Sequence, residues 1–247
     1  MLTLKGRTCV FAGAAGQIGQ GAVRALAAQG MNVIMVTHNP ASAAAIVDSL
    51  KDLPGTVMAM SNENSDAAIF AETEKRFGSV DVIINSTGGL MAPVKPEEIS
   101  GDMLDRKLHH QVTAVYGMVR DALPFLRRSR AGRIILVATA GAVDGFSGEC
   151  IADSIARGGI LSMTCALARA LAPDGITVNC IARSGMINDH PPKGPEDLDV
   201  KDLLAQIPVG RAGTADEFGA AVEYAASEEA GFVTGHIFNL TGGLHIG

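Results

Sequence analysis

At 247 residues the chain is long enough for one large α/β domain and short for two. Apolar residues at 47% against 19% charged exclude an extended disordered chain, and a formal net charge of −6 argues against a nucleic-acid or membrane-surface partner. The four cysteines, Cys9, Cys150, Cys165 and Cys180, form no Cys-x-x-Cys pair, which reads as free thiols of a reducing cytoplasm and not as a zinc site.

From the N-terminus, Met1–Arg7 is too short and polar for a signal peptide, and a strand begins at once with Thr8–Ala12. Further strands are expected at Asn32–Val36, Thr56–Met60, Val82–Asn85, Arg133–Ala138, Thr177–Ala182 and His236–Leu240. They are apolar or β-branched without polar alternation, as suits parallel strands covered on both faces. Between them lie helices. Ile18, Ala22 and Leu26 share one helical face before Gly30 closes the element. Helices are also expected over Asp66–Phe77, Gly101–Arg128, Gly148–Leu171 and Ala215–Ala226. The alternation predicts a single domain over residues 1–247 with a doubly wound, Rossmann-type seven-stranded parallel sheet. No apolar run approaches the roughly 20 residues of a membrane span. Arg127, Arg128, Arg130 and Arg133 read as the basic end of a helix before the next strand. The segment 184–200, with His190-Pro-Pro-Lys-Gly-Pro, breaks the rhythm after a strand end and reads as a substrate loop.

The first strand ends in Ala12-Gly13-Ala14-Ala15-Gly16-Gln17-Ile18-Gly19. Glycines in a strand–turn–helix context permit a tight turn and close approach of backbone to a pyrophosphate. The helix start then supplies free N–H groups and a favourable dipole.

Those glycines make the chain resemble the short-chain dehydrogenase/reductase family. Asn85-Ser86-Thr87-Gly88 stands in place of that family's Asn-Asn-Ala-Gly. Gly175-Ile176-Thr177-Val178-Asn179, Ile207-Pro208-Val209-Gly210-Arg211, Thr234-Gly235 and Gly242-Gly243 match its later segments, so the resemblance covers essentially the whole chain. The spacing Gly13, Gly16, Gly19 departs from the short branch, whose second glycine falls at Gln17. The resemblance implies an NAD(P)(H)-binding oxidoreductase acting on a small molecule. It also implies a homo-oligomer, a tetramer, built through Gly148–Leu171 and His236–Leu240. The cofactor is expected at Gly13, Gly16, Gln17, Ile18, Gly19, Asn85 and Ser86, with Asn62 beside the adenine. At the second strand's end Thr37-His38-Asn39 offers no acid for a ribose 2′-hydroxyl, which tilts the expectation toward NADP.

The family's chemistry rests on an Asn-Ser-Tyr-Lys tetrad, and counting from Asn179 and Gly159 places substitutes at all four positions: Gln111, Thr139, Asp153 and Arg157. The Pro-Gly after the sixth strand becomes Arg183-Ser184. Thr139 keeps a hydroxyl and Gln111 an amide. An aspartate ionises near pH 4 where tyrosine ionises near 10, and arginine does not pass protons as lysine does. Arg157 retains the capacity to bind ribose hydroxyls. Asp153 and Arg157 are four apart on one helix face and are expected to form an ion pair. His109 and His110 adjoin Gln111 and offer an acid/base near neutrality, and Asp144 and Glu149 are further pocket candidates. Three readings stay open: an atypical oxidoreductase, a non-redox lyase, epimerase or dehalogenase-like enzyme, and a catalytically silent nucleotide-binding subunit.

Overall fold

The structure, a computed structural model, describes residues 2–89, 94–145, 150–186 and 205–246. Seven strands, β1 (Thr8–Ala12), β2 (Asn32–Thr37), β3 (Val57–Ser61), β4 (Val82–Asn85), β5 (Arg133–Thr139), β6 (Thr177–Arg183) and β7 (Ile237–Leu240), form one sheet. Their order is β3-β2-β1-β4-β5-β6-β7, with every pairing parallel. The order reverses between β1 and β4. In an open α/β sheet, ligands bind outside the carboxyl ends of strands at that reversal.

Eight α-helices are described: α1 (Gln17–Ala28), α2 (Ala44–Ser49), α3 (Asp66–Phe77), α4 (Gly101–Leu108), α5 (Ala114–Leu126), α6 (Gly141–Asp144), α7 (Ile151–Leu171) and α8 (Ala215–Ala226). The sheet's two faces carry separate cores. Phe11, Met35, Ile84, Ile135 and Ile181 pack with Leu26 of α1 and Phe218 of α8. On the other face Ile34, Ile83 and Leu136 pack with Phe70 of α3, Met118 of α5 and Ile160 of α7. Each strand is therefore apolar on both sides, and this is why the sequence lacks strand alternation.

The expected strands are all present: β1 and β4 keep their expected ends and the other five shift by one residue, with β2, β5 and β6 each running one further, to Thr37, Thr139 and Arg183. The expected helix Gly101–Arg128 is instead interrupted. Residues His109–Thr113 form a π-helical turn between α4 and α5. Such a turn inserts one residue into the helical repeat and rotates the helix beyond it. It leaves Gln111 2% exposed while His109 and His110 stay exposed. The short α2 and α6 carry too few periodic apolar residues to signal a helix in the sequence.

The arginine cluster is paired: Arg127 with Asp174, Arg128 with Glu74 and Arg130 with Glu228, while Arg133 donates from a buried position to the carbonyl of Ser227. The expectation that no segment suits a membrane is corrected in part, because Ile151–Asp174 is long and apolar enough by length and composition. However, α7 packs on β5, β6 and α4 and buries the polar Asp153, Arg157 and Thr164 within the protein.

Candidate active site

At the end of β1 the chain turns at Gly13 with φ +88°, a left-handed conformation, and a Cβ there would lie 2.7 Å from the backbone of Ser86. Only glycine fits both conditions. Gly19 in the first turn of α1 is constrained in the same way, since a Cβ would lie 2.7 Å from the carbonyl oxygens of Gly13 and Ala14. Gly16 sits at the N-cap of α1, where no side chain caps the helix. The Gln20 amide donates to the Ala15 carbonyl at 2.9 Å and braces the turn. Ile18 points into the core, and Gln17 is half-buried beside the turn. The result is a tight backbone cradle with the start of α1 open above it.

The other expected cofactor residues flank this cradle. Thr37 ends β2. Asn39 is engaged locally, accepting from the Ala41 N–H at 3.0 Å. His38 Nδ1 and the Asn62 amide lie 2.9 Å apart, so the ends of β2 and β3 are joined by two residues assigned separately from sequence. Asn85 is buried. Its Oδ1 accepts from the N–H of Thr87 at 3.1 Å and its hydroxyl at 2.7 Å, which fixes the turn following β4.

That turn is a seam. Its Ser86 backbone abuts Gly13, and its other end is held by side chains from the neighbouring helices. The Arg157 guanidinium donates to the carbonyls of Gly88 and of Val137, both at 3.0 Å. The Gln111 amide donates to the Gly89 carbonyl at 3.2 Å and to Asp153 Oδ1 at 3.3 Å. Gly88 has φ +107° and sits so close to the Arg157 and Gln111 side-chain tips that a Cβ would lie 3.0 Å from each.

Asp153 is fully buried, and its ion pair is not the expected one. Lys107 of α4 lies 2.7 Å from Asp153 Oδ1 and donates to the Gly89 carbonyl at 2.8 Å. Arg157, one turn along α7, acts on Asp153 only through space. Two of its guanidinium nitrogens donate to carbonyls while its buried Nε has no partner among the described residues, and burial pulls its pKa down against the raising influence of Asp153. Sequence reasoning missed Lys107. The available signal was its place four residues before Gln111 on one helix, hence on the same face.

The expectation for the histidines is corrected. His109 and His110 are exposed and meet edge-on at 5.6 Å. The π-helical turn carries Gln111 inward to Asp153 and leaves both imidazoles outside the cluster. Glu149 lies outside the described residues, as does the side chain of Asp144.

Thr139 ends β5, 6% exposed, and its hydroxyl has no hydrogen-bond partner among the described residues. Its neighbour across the β5–β6 pairing is Arg183. Burial lowers the Arg183 pKa, and the nearby Arg157 cation lowers it further. After Arg183 the chain lines a largely apolar cavity with Ser184, Met186, Ile207, Leu240 and Thr241. Of the expected substrate loop, residues 187–200 lie outside the described residues.

Comparison with known proteins places this geometry. A family profile described as enoyl-(acyl carrier protein) reductase matches residues 13–245. The chain is 31% identical to the 3-oxoacyl-(acyl-carrier-protein) reductase FabG of Vibrio cholerae, over 99% of this chain and 100% of that protein. It is 31% identical to the L-fucose dehydrogenase of Bos taurus, over 98% and 90% respectively. A solved short-chain dehydrogenase/reductase from Serratia marcescens superposes with a TM-score of 0.88 at 26% identity, covering 98% of both chains.

Proposed function

The chain belongs to the short-chain dehydrogenase/reductase family of oxidoreductases, and from that premise we propose that it is an NAD(P)(H)-dependent oxidoreductase with a substituted catalytic centre. The observation that carries the nucleotide half is the cradle at Gly13 and Gly19, where backbone approaches within 2.7 Å of any added Cβ at the foot of an uncapped helix. Gly13, Gly16, Gln17, Ile18 and Gly19 would hold the pyrophosphate, Asn85 and Ser86 the nicotinamide side, and His38 and Asn62 the adenosine end. The carboxyl end of β2 presents Thr37, His38 and Asn39 and no acid, which favours NADP over NAD.

When bound, a reduced nicotinamide supplies hydride to a substrate carbonyl. The chain's residues do the rest. Thr139 offers an unspent hydroxyl for the carbonyl oxygen. Arg157 holds the β4 turn against β5, which keeps the floor of the site fixed. The Lys107 Nζ–H, held at Asp153 Oδ1 and at the Gly89 carbonyl, is a positioned donor in a cluster that lacks the tyrosine hydroxyl. With Asp153 standing where the family has its proton-donating tyrosine, reduction of simple ketones at neutral pH is expected to be slow. The buried Asp153 favours one second reading, a non-redox enzyme in which this carboxylate takes a proton from substrate. We further propose a cytoplasmic protein and, separately, a homo-oligomer, a tetramer, for which the exposed Tyr116 of α5 and Ile155 of α7 offer apolar surface.

Calorimetry with NAD, NADH, NADP and NADPH, followed by single-turnover NADPH oxidation with a carbonyl panel, tests the function. Micromolar NADPH binding with slow oxidation is the expected result. Failure of all four nucleotides to bind at millimolar concentration overturns it, and substrate conversion without nucleotide oxidation establishes the non-redox reading.

A further inference from the structure

β5 and β6 run side by side to the crevice, and their last paired residues are Thr139 and Arg183. Registered residues of parallel strands project to the same face. Two residues earlier, Val137 and Ile181 lie together in the core shared with α1 and α8, so Thr139 and Arg183 form the next step outward at the rim. Both carry unspent donors. The Thr139 hydroxyl and the Arg183 Nε are buried and have no hydrogen-bond partner among the described residues.

The charges around them are unequal. Lys107 is matched by Asp153, and Arg157 is held by two carbonyls. Arg183 has no carboxylate within salt-bridge reach among the described residues, and the charged group that bears on it is another cation, Arg157. A guanidinium that is half-buried, with its Nε fully so, is costly without a counter-charge. The nucleotide's pyrophosphate does not answer it. The Gly13 turn ends β1, and β4 and β5 lie between β1 and β6. Three strand spacings of about 4.8 Å put the two sites on the order of 14 Å apart.

We propose that Arg183 and Thr139 anchor an oxo acid substrate, the guanidinium taking a free carboxylate and the hydroxyl the neighbouring carbonyl oxygen. The guanidinium fork matches a carboxylate with two parallel hydrogen bonds. The two residues' backbones are one strand spacing, about 4.8 Å, apart, so the two side chains start close enough to share one small substrate. This names the substrate class within the oxidoreductase reading and rests on it for the role of the carbonyl, but the anchor itself is a binding site and is testable without turnover.

The test is calorimetry on the full chain, with and without NADPH, using 2-oxobutanoate and acetoacetate against their methyl esters. At least one acid is expected to bind tenfold or more tightly than its ester. Arg183→Gln is expected to erase that preference while NADPH affinity stays within twofold, and Arg183→Lys to keep part of it. Equal affinity of acids and esters, or no binding of either acid, overturns the anchor. So does an Arg183→Gln protein that loses tenfold in NADPH affinity and nothing in acid preference. If Arg183→Gln does not fold, the ester comparison on the unmodified chain together with Arg183→Lys decides. An acid preference without any NADPH oxidation keeps the anchor and removes the oxidoreductase reading, so the two fail separately.

Discussion

The glycine turn after β1 and the cluster on α4 and α7 lie on either side of one short segment, Asn85–Gly89, and use it in different ways. On the β1 side the contact is backbone against backbone: Ser86 comes so near Gly13 that a single methyl group would collide at 2.7 Å. On the helix side the contact is side chain against backbone, with Lys107, Gln111 and Arg157 reaching the carbonyls of Gly88 and Gly89. The first arrangement tolerates one residue type at each point. The second asks only for a donor of sufficient length, and several side chains satisfy it. A fold is therefore free to change its chemistry on the helix side while its nucleotide side stays fixed, which is the pattern we propose for this chain.

The largest expected effect falls on the helix side. Asp153→Ala removes the partner of Lys107, whose side chain is 13% exposed, and leaves a mostly buried ammonium without its counter-ion. Breaking such a pair from one side costs about 3–5 kcal/mol. Urea denaturation should show a loss of that order, and the double variant Asp153→Leu with Lys107→Met should recover most of it. If the two sides are independent, NADPH affinity of the folded variant stays unchanged. A fall of tenfold or more would show that Asn85–Gly89 transmits between them.

A smaller cost with a more local consequence is expected at Gly13. Gly13→Ala meets the strain of a left-handed φ, about 1–2 kcal/mol, together with the collision at Ser86. The total should be about 2–4 kcal/mol by thermal unfolding. NADPH binding should drop at least tenfold while the Lys107–Asp153 coupling, measured by a double-mutant cycle, is retained. Undiminished NADPH binding would show that the nucleotide is held elsewhere.

The same contrast explains how much of the molecule is legible in its sequence. The strands are readable because each is apolar on both faces, and the glycine turn because its constraint is local and fixed in spacing. The pairing of Asp153 is not. An i,i+4 neighbour, Arg157, is available in the sequence, while the actual partner, Lys107, comes from a helix 46 positions earlier. Choosing between them requires knowing that Gly88 and Val137 claim the guanidinium first. His110 lies outside the Asp153 cluster for a similar reason, since a π-helical turn decides which of three consecutive polar residues faces inward.

The smallest expected effect tests how far support for the glycine turn extends. α8 packs along α1, and its start is fixed by a capping box: Thr214 Oγ1 accepts from the Glu217 N–H at 3.2 Å, and the Thr214 N–H donates to Glu217 Oε2 at 2.8 Å. Arg211 pairs with the same carboxylate at 2.6 Å. These partners, Arg211 foremost, hold the Glu217 pKa down to about 2 from an ordinary 4.5. A carboxyl whose folded pKa is depressed stabilises the fold above its unfolded value and loses that contribution as pH falls through the folded one. The benefit should therefore be complete above about pH 5 and fade toward pH 2. The side chain is solvent-exposed, so screening discounts the shift, and Glu217→Gln should cost only up to about 1 kcal/mol at pH 7. Parallel urea titrations of the two proteins should converge as the pH approaches 2. A gap that stays constant with pH would assign the cap to the hydrogen bond to Thr214 alone. NADPH affinity should not change, because α8 meets α1 along its flank and the turn at Gly13 is braced from within by Gln20 and from across by Ser86.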